Sequence, residues 1–333
     1  MEAATFTVLF VDAEIRHLNR LFRAKTWLAS CAVLTTLVAG RPVHAGEMED
    51  ARDALTSFEW VRAYNGFTAI AAKAPAKSEE WAQATFGAAS ASSNLQPASE
   101  GNTKTSVKLY ESILSETPQS KYAPRAMMNL GRLQELRDYP SDKPDLDAAA
   151  ETYLKVASTW PTLPIASEAT LRAAAAYVQW YDAPDFVKVK KGVSLLESWL
   201  ASHPNDPWAS IMYQYLGDTY YMPLGDTAKV NGDKAKRNEY YAKAIAAYEK
   251  VDSLGWTDNG NQGPVLWRVA VISETIGNLP TAIKYYTKNI IETPNSGKAY
   301  ESQLALKRLG APAPEIQLRK VRSAAPTTRE AVR

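Results

Sequence analysis

Six stretches of the chain repeat one spacing of small and large positions. Ala63-Phe67-Ile70, Ser106-Tyr110-Ile113, Ala149-Tyr153-Val156, Gly192-Leu196-Trp199, Ala244-Tyr248-Val251 and Ala282-Tyr286-Asn289 each set a small residue, a large one four positions on, and a third residue three further. Five positions later stands Pro75, Pro118, Pro161, Pro204, Trp256 or Pro294, and the first four prolines fall 43 residues apart. Residues three and four apart share a helix face, so each stretch predicts a helix with one packing stripe. The small residue lets a second helix approach closely. The large residues fill the groove beside it, and the proline stops the helix at a fixed length. Partner helices are expected between them, around Leu130-Gly131, Ala173-Ala174 and Tyr213-Leu216-Gly217-Tyr220. Alternating Val- and Thr-rich runs are scarce, so no strands are predicted.

The fold expected is all-α, a right-handed α-solenoid of about six helix hairpins over 46–310. The motifs resemble the tetratricopeptide repeat. Gly277-Asn278-Leu279-Pro280-Thr281-Ala282, continuing to Tyr286 and Pro294, is similar to the turn and second helix of that repeat. Pro118 to Ala126 with Leu130-Gly131 is similar to repeats of the bacterial envelope proteins BamD and YbgF/CpoB. The usual period is ~34 residues, so the hairpins here are enlarged. Asp138 to Asp147 and Pro223 to Arg237 are read as the enlarged turns. Armadillo and HEAT repeats share a period near 43 but lack this pattern of glycine, alanine, aromatic and proline.

The resemblance implies a protein-binding scaffold whose concave face is lined by the first helix of each pair. If Gly131, Ala174 and Gly217 are equivalent, three quartets face that groove. They are Arg125, Met128, Arg132 and Glu135; then Glu168, Leu171, Ala175 and Val178; then Ile211, Gln214, Asp218 and Tyr221. The expected ligand is an extended segment or amphipathic helix, its acidic end near Arg125 and Arg132 and its apolar anchors near Leu171 and Val178.

Composition narrows the chemistry. Of three histidines only His203 lies beyond residue 45, and the single cysteine is Cys31, which excludes cysteine-ligated zinc and a disulfide framework from 46 onward. No GxSxG, Walker, HExxH or GxGxxG motif occurs. Asp142, Asp145 and Asp147 lack the glycine and terminal glutamate of a calcium loop and read as a solvated turn. His203, at a helix end before Pro204, reads as a capping residue. The expectation is therefore no enzyme, no cofactor and no metal, with a protein or peptide partner in the cell envelope or at the outer membrane.

Residues 1–45 read as a signal peptide. Arg16, Arg20, Arg23 and Lys25 precede 15 uncharged residues from Thr26 to Gly40, and Val43-His44-Ala45 ends in a small-residue cleavage pattern. The expected location is periplasmic or secreted. An uncleaved anchor and a lipoprotein acylated at Cys31, within Leu28-Ala29-Ser30-Cys31, are the other two readings. Cleavage after Ala45 leaves 33 basic and 33 acidic residues. That neutrality argues for no nucleic-acid partner, since such binding neutralises phosphates. Residues 311–333, basic and rich in Ala, Pro and Thr, read as a disordered tail.

Overall fold

The computed structural model describes residues 45–179, 185–257 and 259–319. Helices α1 to α4 are Ala45–Thr56, Trp60–Lys73, Glu79–Ser92 and Glu100–Glu116. Helices α5 to α8 are Ala123–Glu135, Leu146–Thr159, Ile165–Val178 and Phe186–Ser202. Helix α9, Ala209–Thr219, runs on through a π-helix, Tyr220–Asp226, into α10, Thr227–Val230. Helices α11 to α14 are Lys234–Leu254, Asn259–Thr275, Leu279–Glu292 and Gly297–Arg308. No strand occurs among the described residues.

The stripe residues are where the spacing predicts. Seventeen of the eighteen residues in the six copies are buried, from Ala63, Phe67 and Ile70 to Ala282, Tyr286 and Asn289, and only Trp199 is half-buried. Only the large residue of the fourth copy, Leu196, is not aromatic, apart from which every copy centres on a ring. The prolines act as expected: α2, α4, α6, α8 and α13 each end two residues before Pro75, Pro118, Pro161, Pro204 and Pro294. In each, the last stripe residue's carbonyl accepts the N–H of the capping residue, as Val156 does from Trp160. At α8 the cap is His203, whose ring stacks on Trp199 at 4.0 Å.

The chain folds as two compact units, 45–126 with 137–142 and 127–136 with 143–319. In each, consecutive helices pack on one another, the arrangement of an α-solenoid. The first has an alanine-rich core around Phe67 and Ile70, with Ala51, Ala54, Ala84 and Ala88 letting α1 to α3 approach closely.

Two expectations are corrected. Pro223 to Arg237 is not an enlarged turn: 220–230 is helical, and only 231–233 separates it from α11. Pro223 sits inside the π-helix, where the wider hydrogen-bond spacing accommodates a residue lacking an N–H. The expected tail is ordered at its start. Gln303 donates to the Pro314 carbonyl at 2.8 Å, and Asn295 exchanges two hydrogen bonds with the Arg319 backbone, at 2.7 and 2.8 Å. Residues 1–44 and 320–333, with nearly all of the expected leader and most of the tail, lie outside the described residues.

Candidate functional site

Two glycines of the second unit seat the ring of a facing tyrosine. A Cβ on Gly131 would lie 2.6 Å from the Tyr153 ring, and one on Gly217 2.6 Å from the Tyr248 ring. Ala174 and Gly192 exchange the roles. The small residue is on α8, and a Cβ there would lie 2.8 Å from the Ala174 carbonyl oxygen, so the two backbones nearly touch.

From these close approaches grows an ionic pattern that recurs three times. A tyrosine on the second helix of a hairpin donates to a carboxylate on the first helix, and an arginine from the next hairpin pairs with that carboxylate. The Tyr153 hydroxyl donates to Glu135 at 2.6 Å, and Arg172 lies 3.5 Å from the same carboxylate while donating to Glu168 at 3.0 Å. Tyr248 donates to Asp218 at 2.6 Å, and Arg268 pairs with Asp218 and donates to the Tyr248 oxygen at 3.1 Å. Tyr286 donates to Glu274 at 3.0 Å, and Arg308 grips Glu274 through two nitrogens at 2.6 and 2.8 Å. Burial holds the Tyr153 and Tyr248 hydroxyls protonated well above the ordinary phenol range.

The predicted groove residues divide on this geometry. Leu171 and Val178 are 0% and 1% exposed, so they are core residues and not anchors for a ligand. The reason is that the inner face of α7 is covered on both sides, by α6 and by α8. Met128 is buried as well. Glu135, Glu168 and Asp218 are held by Tyr153, Arg172, Tyr248 and Arg268. Tyr221 is half-buried, with the Arg268 guanidinium 5.1 Å above its ring and the Tyr241 ring 5.8 Å away. Arg125, Arg132, Ala175, Ile211 and Gln214 are partly exposed. Asp142 accepts from the Asp138 N–H, Asp145 caps α6, and Asp147 pairs with Lys188. Among the described residues no group of three or more metal-ligating side chains gathers, and no helix is long and apolar enough to cross a membrane.

The π-helix adds a second level to the α9–α11 hairpin. Leu216-Gly217-Asp218-Thr219 recurs as Leu224-Gly225-Asp226-Thr227, a duplication that the spacing of the hairpins obscures. Gly225 seats the Tyr241 ring as Gly217 seats that of Tyr248, and Tyr241 donates to Asp226 at 2.6 Å. Burial raises the Asp226 carboxyl above the usual range, against the hydrogen bond from Tyr241.

The first unit carries an open cleft of about 810 Å³ between the α1–α2 turn and Gln96. Phe58, Trp60 and Val61 line it, with Glu59, Arg62 and Asn65. Phe58 is 64% exposed and Val61 60%. The Phe58 ring meets Trp60 edge to face at 5.4 Å. Phe58 also has φ +63°, a left-handed conformation that costs a bulky residue ~1–2 kcal/mol. It terminates α1, where Glu59 donates its N–H to the Ala54 carbonyl at 2.8 Å. At the matching ends of α10, α12 and α14 the left-handed residue is Gly232, Gly277 or Gly310. Sequence reasoning missed this cleft, because it lies outside the stripe pattern.

No family model matches the chain, and neither does any curated protein. Solved structures do match. One is the human IFIT1 dimer with PPP-AAAA, 16% identical, with a TM-score of 0.33 over 88% of this chain and 71% of that one. The expectation that nucleic acid is excluded as a partner is corrected: it rested on neutrality alone, and a net charge of zero is a sum that leaves local basic surfaces in place. At that score the likeness assigns this chain no ligand.

Proposed function

We propose that this chain is an exported scaffold of the tetratricopeptide type that binds a protein or peptide partner and has no catalytic activity. The observation that carries the reading is the cleft at Phe58, Trp60 and Val61. Large apolar side chains outside a core mark interaction sites, and aromatic residues beside polar rims supply most of the energy at such sites. The strained backbone at Phe58 agrees. Folding favours glycine there, so the ring has a use other than closing the helix. The hairpins supply the rigid support, since the tyrosine-carboxylate-arginine groups tie α5–α6 to α7, α9–α11 to α12, and α12–α13 to α14.

A photo-crosslinking residue at Val61 of the full chain, expressed in its own cells, tests the reading. A discrete adduct that disappears with Phe58→Ser supports it. Labelling no different from that at the exposed control position Leu254 refutes it. The intact mass of the exported protein tests the leader: a first residue of Gly46 is expected. A diacylated Cys31 would instead support a lipid-anchored subunit of an envelope assembly.

A further inference from the structure

The helical arms of the α9–α11 hairpin are longer than those of α5–α6, and their far end is cationic. From the Gly217–Tyr248 contact, the first arm continues 13 residues to Val230, and the second begins 14 residues earlier at Lys234. From the Gly131–Tyr153 contact the same distances are four and seven residues. The arms are thus nine and seven residues longer, and seven residues add about 10 Å of helix at ~1.5 Å per residue. The extension is packed helix, held by the Gly225–Tyr241 approach and the Tyr241–Asp226 hydrogen bond.

Between Thr227 and Lys243 five cations stand against two carboxylates. Both carboxylates are engaged: Asp233 caps α11 by accepting from the Lys236 N–H at 2.9 Å, and Glu239 lies between Lys236 and Lys243 at 3.0 and 3.3 Å. Lys229 and Lys234 flank the turn, both exposed. Lys229 acts on the buried Asp226 carboxyl through charge alone, and neither lysine is in a salt bridge among the described residues. At the apex stands Val230, 84% exposed. No contact of the fold accounts for an apolar side chain there.

We propose that this tip docks on an anionic lipid surface, with Lys229 and Lys234 against the headgroups and Val230 inserted between them. Cations near an anionic leaflet are each attracted by several-fold in affinity, and an apolar side chain at the headgroup boundary gains by leaving water. Single-stranded nucleic acid fits the tip less well, because it binds on exposed rings. Here Tyr240 and Tyr241 are buried, and Arg237 is half-buried and donates to Asn238. The proposal is independent of the partner cleft, which lies in the first unit.

The test uses the mature chain from Gly46, which has no cysteine of its own, with an environment-sensitive dye on Val230→Cys. Phosphatidylglycerol vesicles are expected to shift the dye emission to the blue. Salt should weaken the response, phosphatidylcholine vesicles should produce none, and a dye at Ser253 should stay silent. Lys229→Gln with Lys234→Gln should weaken vesicle affinity about 30-fold, from about one factor of five per charge. Unchanged melting of that variant confirms that the fold is intact. The proposal is overturned by no shift on anionic vesicles, by equal affinity of the glutamine variant, or by a stronger response to oligoadenylate or polyglutamate than to vesicles.

Discussion

The Tyr241 hydroxyl donates to Asp226 at 2.6 Å, the same distance at which Tyr248 donates to Asp218 on the level below. The two tyrosines are seven residues apart on α11, two turns of α-helix, while their acceptors are eight apart. The π-helix between Tyr220 and Asp226 absorbs the extra residue and returns Asp226 to the face of Asp218.

Deleting Met222, inside the π-helix, should therefore swing Asp226 away from Tyr241. Tyr241→Phe should cost ~1.5–3 kcal/mol in the wild type, the range for a hydrogen bond to a charged group. In the deletion background it should cost almost nothing. Denaturant melts of the four proteins form the cycle. Equal costs in both backgrounds would show that the extra residue has no part in aligning the pair.

Three glycines should respond to alanine in a fixed order. At Gly192 the new Cβ meets the Ala174 backbone, which has no rotamer to yield, so overpacking of ~1–3 kcal/mol should outweigh the helix-propensity gain. At Gly131 it meets the Tyr153 ring, which is anchored through its hydroxyl and yields only in part. At Gly297 it meets nothing within 4 Å, and the gain of up to ~1 kcal/mol should stand alone. Melting temperatures should fall most for Gly192→Ala, less for Gly131→Ala, and not at all for Gly297→Ala.

Glu274 and Asp226 should give stability opposite slopes with pH. Hydrogen bonds from Arg308 hold the Glu274 carboxyl below the usual range. Its contribution is present above the unfolded glutamate pKa of ~4.3 and lost as pH falls through the lower folded value. Because the Arg308 side chain is 61% exposed, the loss should be ~0.2–1 kcal/mol. Burial raises Asp226, so its contribution is present below the unfolded aspartate pKa of ~3.9 and lost as pH rises through the raised one. Urea melts at pH 3.5 and pH 7 should show Glu274→Gln less destabilising at the acid end. Asp226→Asn should become relatively more favourable at the neutral end. Parallel profiles would contradict both assignments.

The helix stripes were legible because they depend on residues within one helix turn or two. Ala149, Tyr153 and Val156 are fully buried, as their spacing predicts. The ionic groups were not legible. The offsets from Gly131 and Gly217 singled out Glu135 and Asp218, yet their arginine partners lie 37 to 50 residues away, on the next hairpin. Spacing within one repeat carries no record of such a partner. Leu171 and Val178 read as surface anchors because periodicity marks a face without marking what covers it. The π-helix was hidden for a related reason: Pro223 and Gly225 in sequence are turn signals, and only packing against Tyr241 makes them helical.

The sharpest separation of folding from function is expected at Phe58. Its φ of +63° costs a bulky side chain ~1–2 kcal/mol that glycine avoids. Against this, Phe58→Gly forfeits the edge-to-face contact with Trp60, ~0.5–1.5 kcal/mol for an aromatic pair and less for one this exposed. The two terms leave the variant as stable as the wild type or more stable by ~1 kcal/mol, although it deletes a whole aromatic ring. A partner that uses the cleft loses an anchor, and truncating such an anchor costs ~2 kcal/mol or more, a fall of about 30-fold in affinity. Thermal melting and binding measured on the same preparation should thus move in opposite directions. A drop in melting temperature with binding intact would make the ring a folding group and place the partner elsewhere on the chain.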